Sequence, residues 1–269
     1  MLAPDRLAEL DAFLLELNRA SAAVILPLFR GDHGIENKAA RGDYDPVTLA
    51  DKGAEAEIRR LIAERYPEHG GIGEEMGEDR PEAEFVWVLD PVDGTRAFVA
   101  GLPVWTTLIG LRFQGQPLLG SIGQPYIGET YVGGPSGARL IDRDGERPLK
   151  VRKGVPLAEA IIATTDADAG FFGAEREAWL AVRKASRLAR MGCDAYAYAM
   201  VAAGQIDLVL EAHLKTWDVE AAVPLICAAG GLVTDWRGAP IGRHGGQMAI
   251  AGDQSLLGEA LPMLIPAAA

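Results

Sequence analysis

The chain is poor in the features that would mark a secreted scaffold, a membrane protein or a nucleic-acid binder. Cysteine occurs twice in 269 residues, at Cys193 and Cys227, far apart and outside any Cys-x-x-Cys spacing. That excludes a disulfide framework and a zinc ribbon, and reads as two small buried hydrophobes. Long apolar runs are missing as well. The most apolar stretches, Val24 to Phe29 and Ala221 to Ala229, contain Pro27 and Pro224 and fall short of the about 18 residues a membrane helix needs. Basic side chains number 26 against 38 acidic ones, and the net charge of -12 repels phosphate backbones, so neither nucleic acid nor membrane is expected as a partner. Met1-Leu2-Ala3-Pro4-Asp5 has no basic flank or apolar core of a signal peptide, and a cytoplasmic protein is expected. Walker glycine loops, H-E-x-x-H, G-x-S-x-G and EF-hand patterns are absent. His33, His69, His213 and His244 lack metal-ligand spacing and read as surface or satisfied histidines.

What is present suffices for a sizeable core: 49% of residues are hydrophobic and the mean hydropathy is +0.07. Leu7, Leu10, Leu14, Leu17, Val24 and Leu28 recur at helical spacing and predict a first helix over 4–29. Thr48 and Asp51 have capping-box spacing and open a second helix with Ile58, Leu61 and Ile62 on its apolar face, ended by Pro67. Phe85 to Leu89 reads as a buried strand followed by an Asp-Pro turn. Thr106 to Phe113 and Pro117 to Gly123 read as a hairpin across Gln114-Gly115-Gln116, with further strands at Glu129 to Val132 and Arg139 to Ile141. After about residue 150 the rhythm changes to strand and helix alternation. Strands are predicted at 160–164, 206–211, 232–235 and 248–251, and helices at 174–185, 195–203, from Asp218 to about Ala229 with a kink at Pro224, and at the C-terminus. The fold class is a layered α/β (α+β) sandwich. An N-terminal half over 1–150 and a C-terminal half over 151–269 form one compact unit with the site between them.

Acidic residues stand where acid is structurally awkward. Asp90 directly follows the apolar strand, and Asp93 follows Pro91 and Val92. Pro91 fixes φ and Gly94 permits a tight backbone, so the segment can turn both carboxylates and the Val92 carbonyl toward one point, with the Thr95 hydroxyl beside them. Two anions so close need a cation, and an all-oxygen set selects a hard metal such as Mg²⁺. Taken alone, an Asp-Pro turn with an Asx cap explains the same residues. Glu74 and Glu75 follow Gly71-Ile72-Gly73, Asp45-Pro46-Val47-Thr48 resembles a turn feeding a helix, where its acid could be only a cap, and Trp217-Asp218 opens the later helix. Together these acids look like a distributed carboxylate cage.

Gly73-Glu74-Glu75, the run from Trp87 through Asp90-Pro91-Val92-Asp93-Gly94-Thr95, Trp217-Asp218 and the late Gly230-Gly231 resemble, in order and spacing, the inositol monophosphatase superfamily. The resemblance extends from the first helix to about Gly252 and implies that family's alternating helix and sheet layers. Gly94 to Phe98, Gly101 to Trp105 and Gly192 to Tyr198 are more similar to the histidinol-phosphate phosphatases than to the inositol enzymes, which usually carry Thr-Asn-Phe after the Gly-Thr.

Carried over residue by residue, the resemblance implies a metal cage of Glu74, Asp90, the Val92 carbonyl, Asp93 and Asp218, holding two to three Mg²⁺ with Asp90 as a bridge. Thr95 and Asp45 would orient a metal-activated water, with Asp93 also counted as catalytic, and no protein nucleophile is needed. Gly94, Thr95, Asp194, Glu211 and Asp218 would contact substrate. Asp194 and Glu211 suit the ammonium and imidazole of histidinol phosphate, although Asp194 also reads as a plain helix N-cap. Lys38 is placed loosely near the phosphate. The resemblance further implies a homodimer, sensitivity to Li⁺ and a small phosphorylated metabolite as substrate. Rival readings are an inositol, sugar or nucleotide phosphatase of the same fold, and a metal-binding regulatory protein without turnover.

Overall fold

The computed structural model of the chain describes residues 2–31, 34, 36–37 and 46–269. His33, Lys38 and Asp45 of the sequence reading lie outside the described residues. The first half opens with α1 (Pro4–Ile25), the short antiparallel pair β1 (Glu36–Asn37) and β2 (Pro46–Val47), and α2 (Leu49–Arg65). It continues through β3 (Gly70–Gly73), β4 (Gly77–Asp79), β5 (Phe85–Asp93), α3 (Thr95–Val99), β6 (Thr106–Phe113), β7 (Gln116–Gln124), β8 (Glu129–Gly134), β9 (Gly137–Asp142) and β10 (Gly145–Pro148). The second half holds β11 (Ile161–Thr164), α4 (Ala174–Ala185), β12 (Leu188–Met191), α5 (Tyr196–Ala202), β13 (Leu208–Leu214), α6 (Thr216–Glu220), α7 (Ala222–Ala228), β14 (Leu232–Thr234), β15 (Gly246–Ala251) and α8 (Gln254–Leu264). An eight-stranded sheet runs in the order β10-β9-β8-β7-β6-β5-β3-β4 and a five-stranded sheet in the order β12-β11-β13-β15-β14.

The strands read as almost unbroken apolar runs because both faces of each sheet are covered. Trp87, Leu89, Ile109 and Leu111 pack with Leu10, Phe13 and Leu14 of α1 and Ile58 and Ile62 of α2. Leu108 and Ile122, on the opposite face, share a core with α5, α7 and the facing residues Val209, Met248 and Ile250 of the smaller sheet. Leu208, Leu210, Ala249 and Ala251, the alternate positions of the same two strands, pack against Trp179 and Val182 of α4 and Leu256 and Leu257 of α8. The layers therefore alternate helix, sheet, helix, sheet, helix, as the resemblance implied. No helix among the described residues is long and apolar enough to cross a membrane.

Local chemistry explains where the elements begin and end. Thr48 caps α2 with the reciprocal bonds its spacing foretold: Ala50 N–H donates to Thr48 Oγ1 at 3.1 Å, and Thr48 N–H to Asp51 Oδ2 at 2.9 Å. The first helix is shorter than the expected 4–29. Helical geometry gives way to turns after Ile25, because Pro27 has no N–H to continue the ladder. The helix expected from Asp218 to Ala229 is divided between α6 and α7 at Ala221 rather than bent at Pro224. Pro224 lacks the N–H that would meet the Glu220 carbonyl one turn earlier, so the interruption falls there. His69 is a satisfied core histidine, 1% exposed, taking the Trp87 indole N–H at 3.1 Å and stacked on Tyr66 and Phe85.

A row of glycines seats the central helices. Gly110 pairs with Gly120 and Gly120 with Gly133, so the three lie side by side across β6, β7 and β8. A Cβ at Gly110 would stand 2.6 Å from Glu220 Cγ, at Gly120 2.1 Å from the Ala221 carbonyl oxygen, and at Gly133 2.3 Å from Leu225 Cα. Helix backbone thus rests directly on sheet backbone. We expect Gly120→Ala to destabilise the protein by about 2–3 kcal/mol or more through overpacking against a backbone atom that cannot rotate away. Gly242→Ala, where a Cβ would meet nothing within 4 Å, should be close to neutral. Equal denaturation midpoints for the two variants would refute the seating role.

Candidate active site

The strand β5 does not end in the expected Asp-Pro turn; it runs on through Asp93. Asp90 pairs with Leu108 but Asp93 with Thr106, three residues against two, so Asp90 to Asp93 is a β-bulge. The proline, which has no N–H for the ladder, is accommodated by that irregularity, and Thr107 Oγ1 donates to the Pro91 carbonyl at 2.8 Å. One extra residue inverts the alternation of the strand. Asp90 is in phase with Val86 and Val88, which face Trp217. In a regular strand Asp93 would be in phase with Trp87 and Leu89, against α1 and α2. The bulge sends Val92 there instead, into a cluster with Ile25, Ala50 and Ala54, and brings Asp93 round to the side of Asp90.

Asp218 reaches the same place from α6. It is the third residue of that helix, not its cap, and Lys215 N–H donates to its Oδ2 at 2.6 Å. Trp217 anchors the helix by packing on Ile72, Val86 and Val88. One carboxylate oxygen from each of Asp90, Asp93 and Asp218 lies within 4.8 Å of the other two. Burial and the neighbouring charges of Glu74, Asp93, Asp218 and Asp51 push the Asp90 carboxyl well above its ordinary range. Asp93 is raised likewise by burial and by Asp194, against the opposing hydrogen bonds from Ala195 N–H and Thr106. Asp218 is pushed up to about 7, by burial first and Glu74 in support. Glu74 stands outside the 4.8 Å triad but in its field, at the end of β3, where its N–H donates to the Leu89 carbonyl at 3.3 Å. Glu75 differs from its neighbour: its N–H, at 2.8 Å, and that of Met76 are taken by the buried Glu55 carboxylate.

The donor set fits a hard divalent cation. It is all oxygen, its carboxylates face one point, and no basic side chain forms an ion pair with Asp90, Asp93 or Asp218 among the described residues. Each proton-raising repulsion is one that a bound cation would turn into attraction.

The structure gives Thr95 a neighbour that the sequence reading did not include. Thr95, at the start of α3 after the left-handed Gly94 (φ 81°), has its hydroxyl 3.1 Å from the Val92 carbonyl and 3.4 Å from Asp51 Oδ1. Asp51, read only as the second member of a capping box, is 2% exposed and turns its other oxygen to the cap. Asp45, expected beside Thr95, lies outside the described residues; among those described, the carboxylate next to the Thr95 hydroxyl is that of Asp51.

Next to the triad is a cleft of about 250 Å³ lined by Asp194, Glu211, Tyr198, Thr165, Asp166 and Arg96 among others. Asp194 has a strained φ of 45° and is not the cap of α5, whose N-cap residue is Ala195. Its carboxylate lies where a Cβ on Gly94 would be, at 2.9 Å, so Gly94 is required both for its φ and for this approach. Burial raises Asp194 to about 6 against the pull of Arg96. Glu211, 5% exposed, accepts Thr165 N–H at 2.8 Å, Thr165 Oγ1 at 3.0 Å and Thr164 Oγ1 at 3.3 Å, and burial raises it to about 8. Tyr198 and Thr165, absent from the sequence candidates, belong to this wall; burial and four surrounding carboxylates hold the Tyr198 phenol protonated.

Comparison with known proteins identifies the family and the fold. The model of the inositol monophosphatase family matches residues 6–266. The chain is 41% identical over 236 residues to the bifunctional phosphatase IMPL2, chloroplastic, of Arabidopsis thaliana, covering 86% of this chain and 66%, just under two thirds, of that protein's length. It is 31% identical over 224 residues to the histidinol-phosphatase of Mycobacterium tuberculosis, covering 82% and 85%. The solved inositol monophosphatase from Zymomonas mobilis matches with a TM-score of 0.82 at 35% identity, covering 97% of this chain and 96% of that one. By these matches the chain belongs to the inositol monophosphatase family, a family of phosphatases.

Proposed function

We propose that the protein is a Mg²⁺-dependent phosphomonoesterase acting on L-histidinol phosphate. The observation that carries the substrate is the acidic wall of the cleft beside the triad: Asp194, Glu211 and Asp166 face the space that the non-phosphate end of a substrate would fill. Such a wall suits an ammonium and an imidazole better than a ring of neutral hydroxyls. Histidinol-phosphatases among the relatives support the reading. Arg96, a guanidinium in the same cleft, favours a second reading, a small sugar bisphosphate whose distal phosphate it would meet.

Asp90, Asp93, Asp218, Glu74 and the Val92 carbonyl would hold the cations, which when bound neutralise the phosphate and acidify a water. The residues around them do the rest. Thr95 directs its single hydroxyl proton between the Val92 carbonyl and Asp51, which leaves an oxygen lone pair to accept from the attacking water. Asp51 is fixed as the final acceptor on that side by the two bonds from Thr48. The hydroxyls of Thr164 and Thr165 hold Glu211 in the cleft wall that the leaving alcohol would meet, with Tyr198 lining the same cleft.

Phosphate release with Mg²⁺ from L-histidinol phosphate, inositol 1-phosphate and fructose 1,6-bisphosphate tests the substrate. We expect histidinol phosphate to lead in kcat/KM by about a hundredfold, or about 2.7 kcal/mol, and Asp93→Asn to abolish turnover of all three. A lead for either competitor rejects the substrate and leaves the metal site in place. Asp194→Asn should raise KM for histidinol phosphate about 10–100-fold, the value of one charged hydrogen bond, while barely changing KM for inositol 1-phosphate; equal effects would refute the assigned contact. Stability gives a third check. Asp218 and Glu211 titrate at about 7 and about 8 in the folded chain, above their ordinary values, so between those pH values the folded state holds protons the unfolded state has lost. Metal-free stability must then fall as pH rises through about 7–8, and Mg²⁺, binding the deprotonated fold, must restore it. The melting temperature in chelator at about pH 6 and pH 8.5, with and without Mg²⁺, reads this out; no response to Mg²⁺ at the higher pH would reject the cation site.

A further inference from the structure

Asp218 sits in the middle of α6, a five-residue helix, far too short to be stable by its own hydrogen bonds. Something must fix it. The buried ion pair between Arg112 of β6 and Glu220, two residues after Asp218, is outside the cleft and unused by the chemistry above. Arg112 Nη2 donates to Glu220 Oε2 at 2.5 Å, and the side chains are 7% and 6% exposed. The same Nη2 is 3.5 Å from the Arg243 carbonyl, which also accepts the Thr216 hydroxyl at 2.8 Å. Thr216 and Glu220 are the first and last residues of α6. Both ends of the helix are thereby tied to one node, with Asp218 between them.

We infer that Arg112 is a positioning residue: through Glu220 and the Arg243 carbonyl it sets where α6 lies on the eight-stranded sheet, and so where Asp218 stands relative to Asp90 and Asp93. The inference rests on reading that triad as a divalent-cation site. Three observations support it. Arg112 is on the strand paired to β5, opposite Val86, so the node is joined by backbone hydrogen bonds to the strand that bears Asp90 and Asp93. Gly110, one alternation away on β6, leaves no Cβ between strand and helix, which lets α6 approach closely but gives it nothing to lock against along the glycine row. The pair is also a poor device for stability, since Arg112 Nε and Glu220 Oε1 are both buried without a hydrogen-bond partner. A matched apolar pair would bury the same space without that cost. What the ion pair adds is a fixed distance and direction.

The test separates position from stability. Arg112→Met/Glu220→Met replaces the pair with apolar side chains of similar length, and Mn²⁺ binding is measured directly from the electron paramagnetic resonance signal of the free ion, alongside thermal unfolding. The double variant is expected to melt at or above the wild-type temperature while its Mn²⁺ dissociation constant rises about 10–100-fold. Wild-type affinity in the folded double variant overturns the inference. Should that variant not fold, Arg112→Lys keeps the buried charge but gives up the rigid, planar head whose Nη2 meets both acceptors; a roughly tenfold loss of affinity is expected, and none would overturn the inference equally. Asp218→Asn serves as the control for the underlying reading. If it binds Mn²⁺ like the wild type, the triad is not a cation site and the positioning role falls with it; if only the Arg112 variants do, the cation site stands and the positioning role alone fails.

Discussion

Mutual repulsion among buried carboxylates is the constraint around which this molecule is arranged. At the separations within the Asp90, Asp93 and Asp218 triad, each pair of charges costs about 3–4 kcal/mol at the effective dielectric of a protein site. The fold answers with a repeated device: five of the site carboxylates accept a backbone N–H, from Val92 for Asp90, Ala195 for Asp93, Lys215 for Asp218, Thr48 for Asp51 and Thr165 for Glu211. A hydrogen bond to a charged group contributes about 1.5–3 kcal/mol, which orients each carboxylate but does not offset repulsion and desolvation together. Only protons or a cation can close that gap, and the raised pKa values record the first of these solutions while the oxygen-only geometry suits the second.

The same constraint accounts for the layering. Carboxylates that repel must be presented from separate, rigid elements, and here they come from a bulged strand of one sheet and from helices held between that sheet and the next. The central helix layer lies inside one core, one side packing on Leu108 and Ile122 and the other on Val209, Met248 and Ile250. The glycine row of Gly110, Gly120 and Gly133 lets that layer approach the larger sheet at backbone distance. Trp217 supplies the hydrophobic anchor and Arg112 with Glu220 the polar one. Asp194 is linked to the triad by the same economy of space, since its carboxylate occupies the room that Gly94 leaves empty.

Several parts of this were legible in the residues alone. The apolar runs gave the central strands of both sheets, the capping box at Thr48 and Asp51 started α2, and Ala174 to Ala185 bounded α4 as expected. The acids after Phe85 to Leu89 pointed to a hard-metal site, and resemblance added Glu74 and Asp218. Short exposed strands such as β12, with one alternate position half-buried and the rest exposed, left no periodic signal. Asp51 caps α2 as read, but its second oxygen serves a residue 44 positions away, a contact that no local pattern carries.

The sequence by itself determined whatever is settled by hydrogen bonds and hydrophobic alternation within a few residues: the types of the longer elements, the cap at Thr48, and the presence of acids where a strand leaves the core. Tertiary structure alone decided that Pro91 makes a bulge and not a turn, and that Asp93 therefore faces Asp90. It also decided that Ala195, 102 residues on, restrains Asp93, and that Arg112 meets Glu220 across 108. The physical reason is that such contacts have no local period. They depend on strand register and on the distance between packed layers, which are set by the summed fit of the whole core.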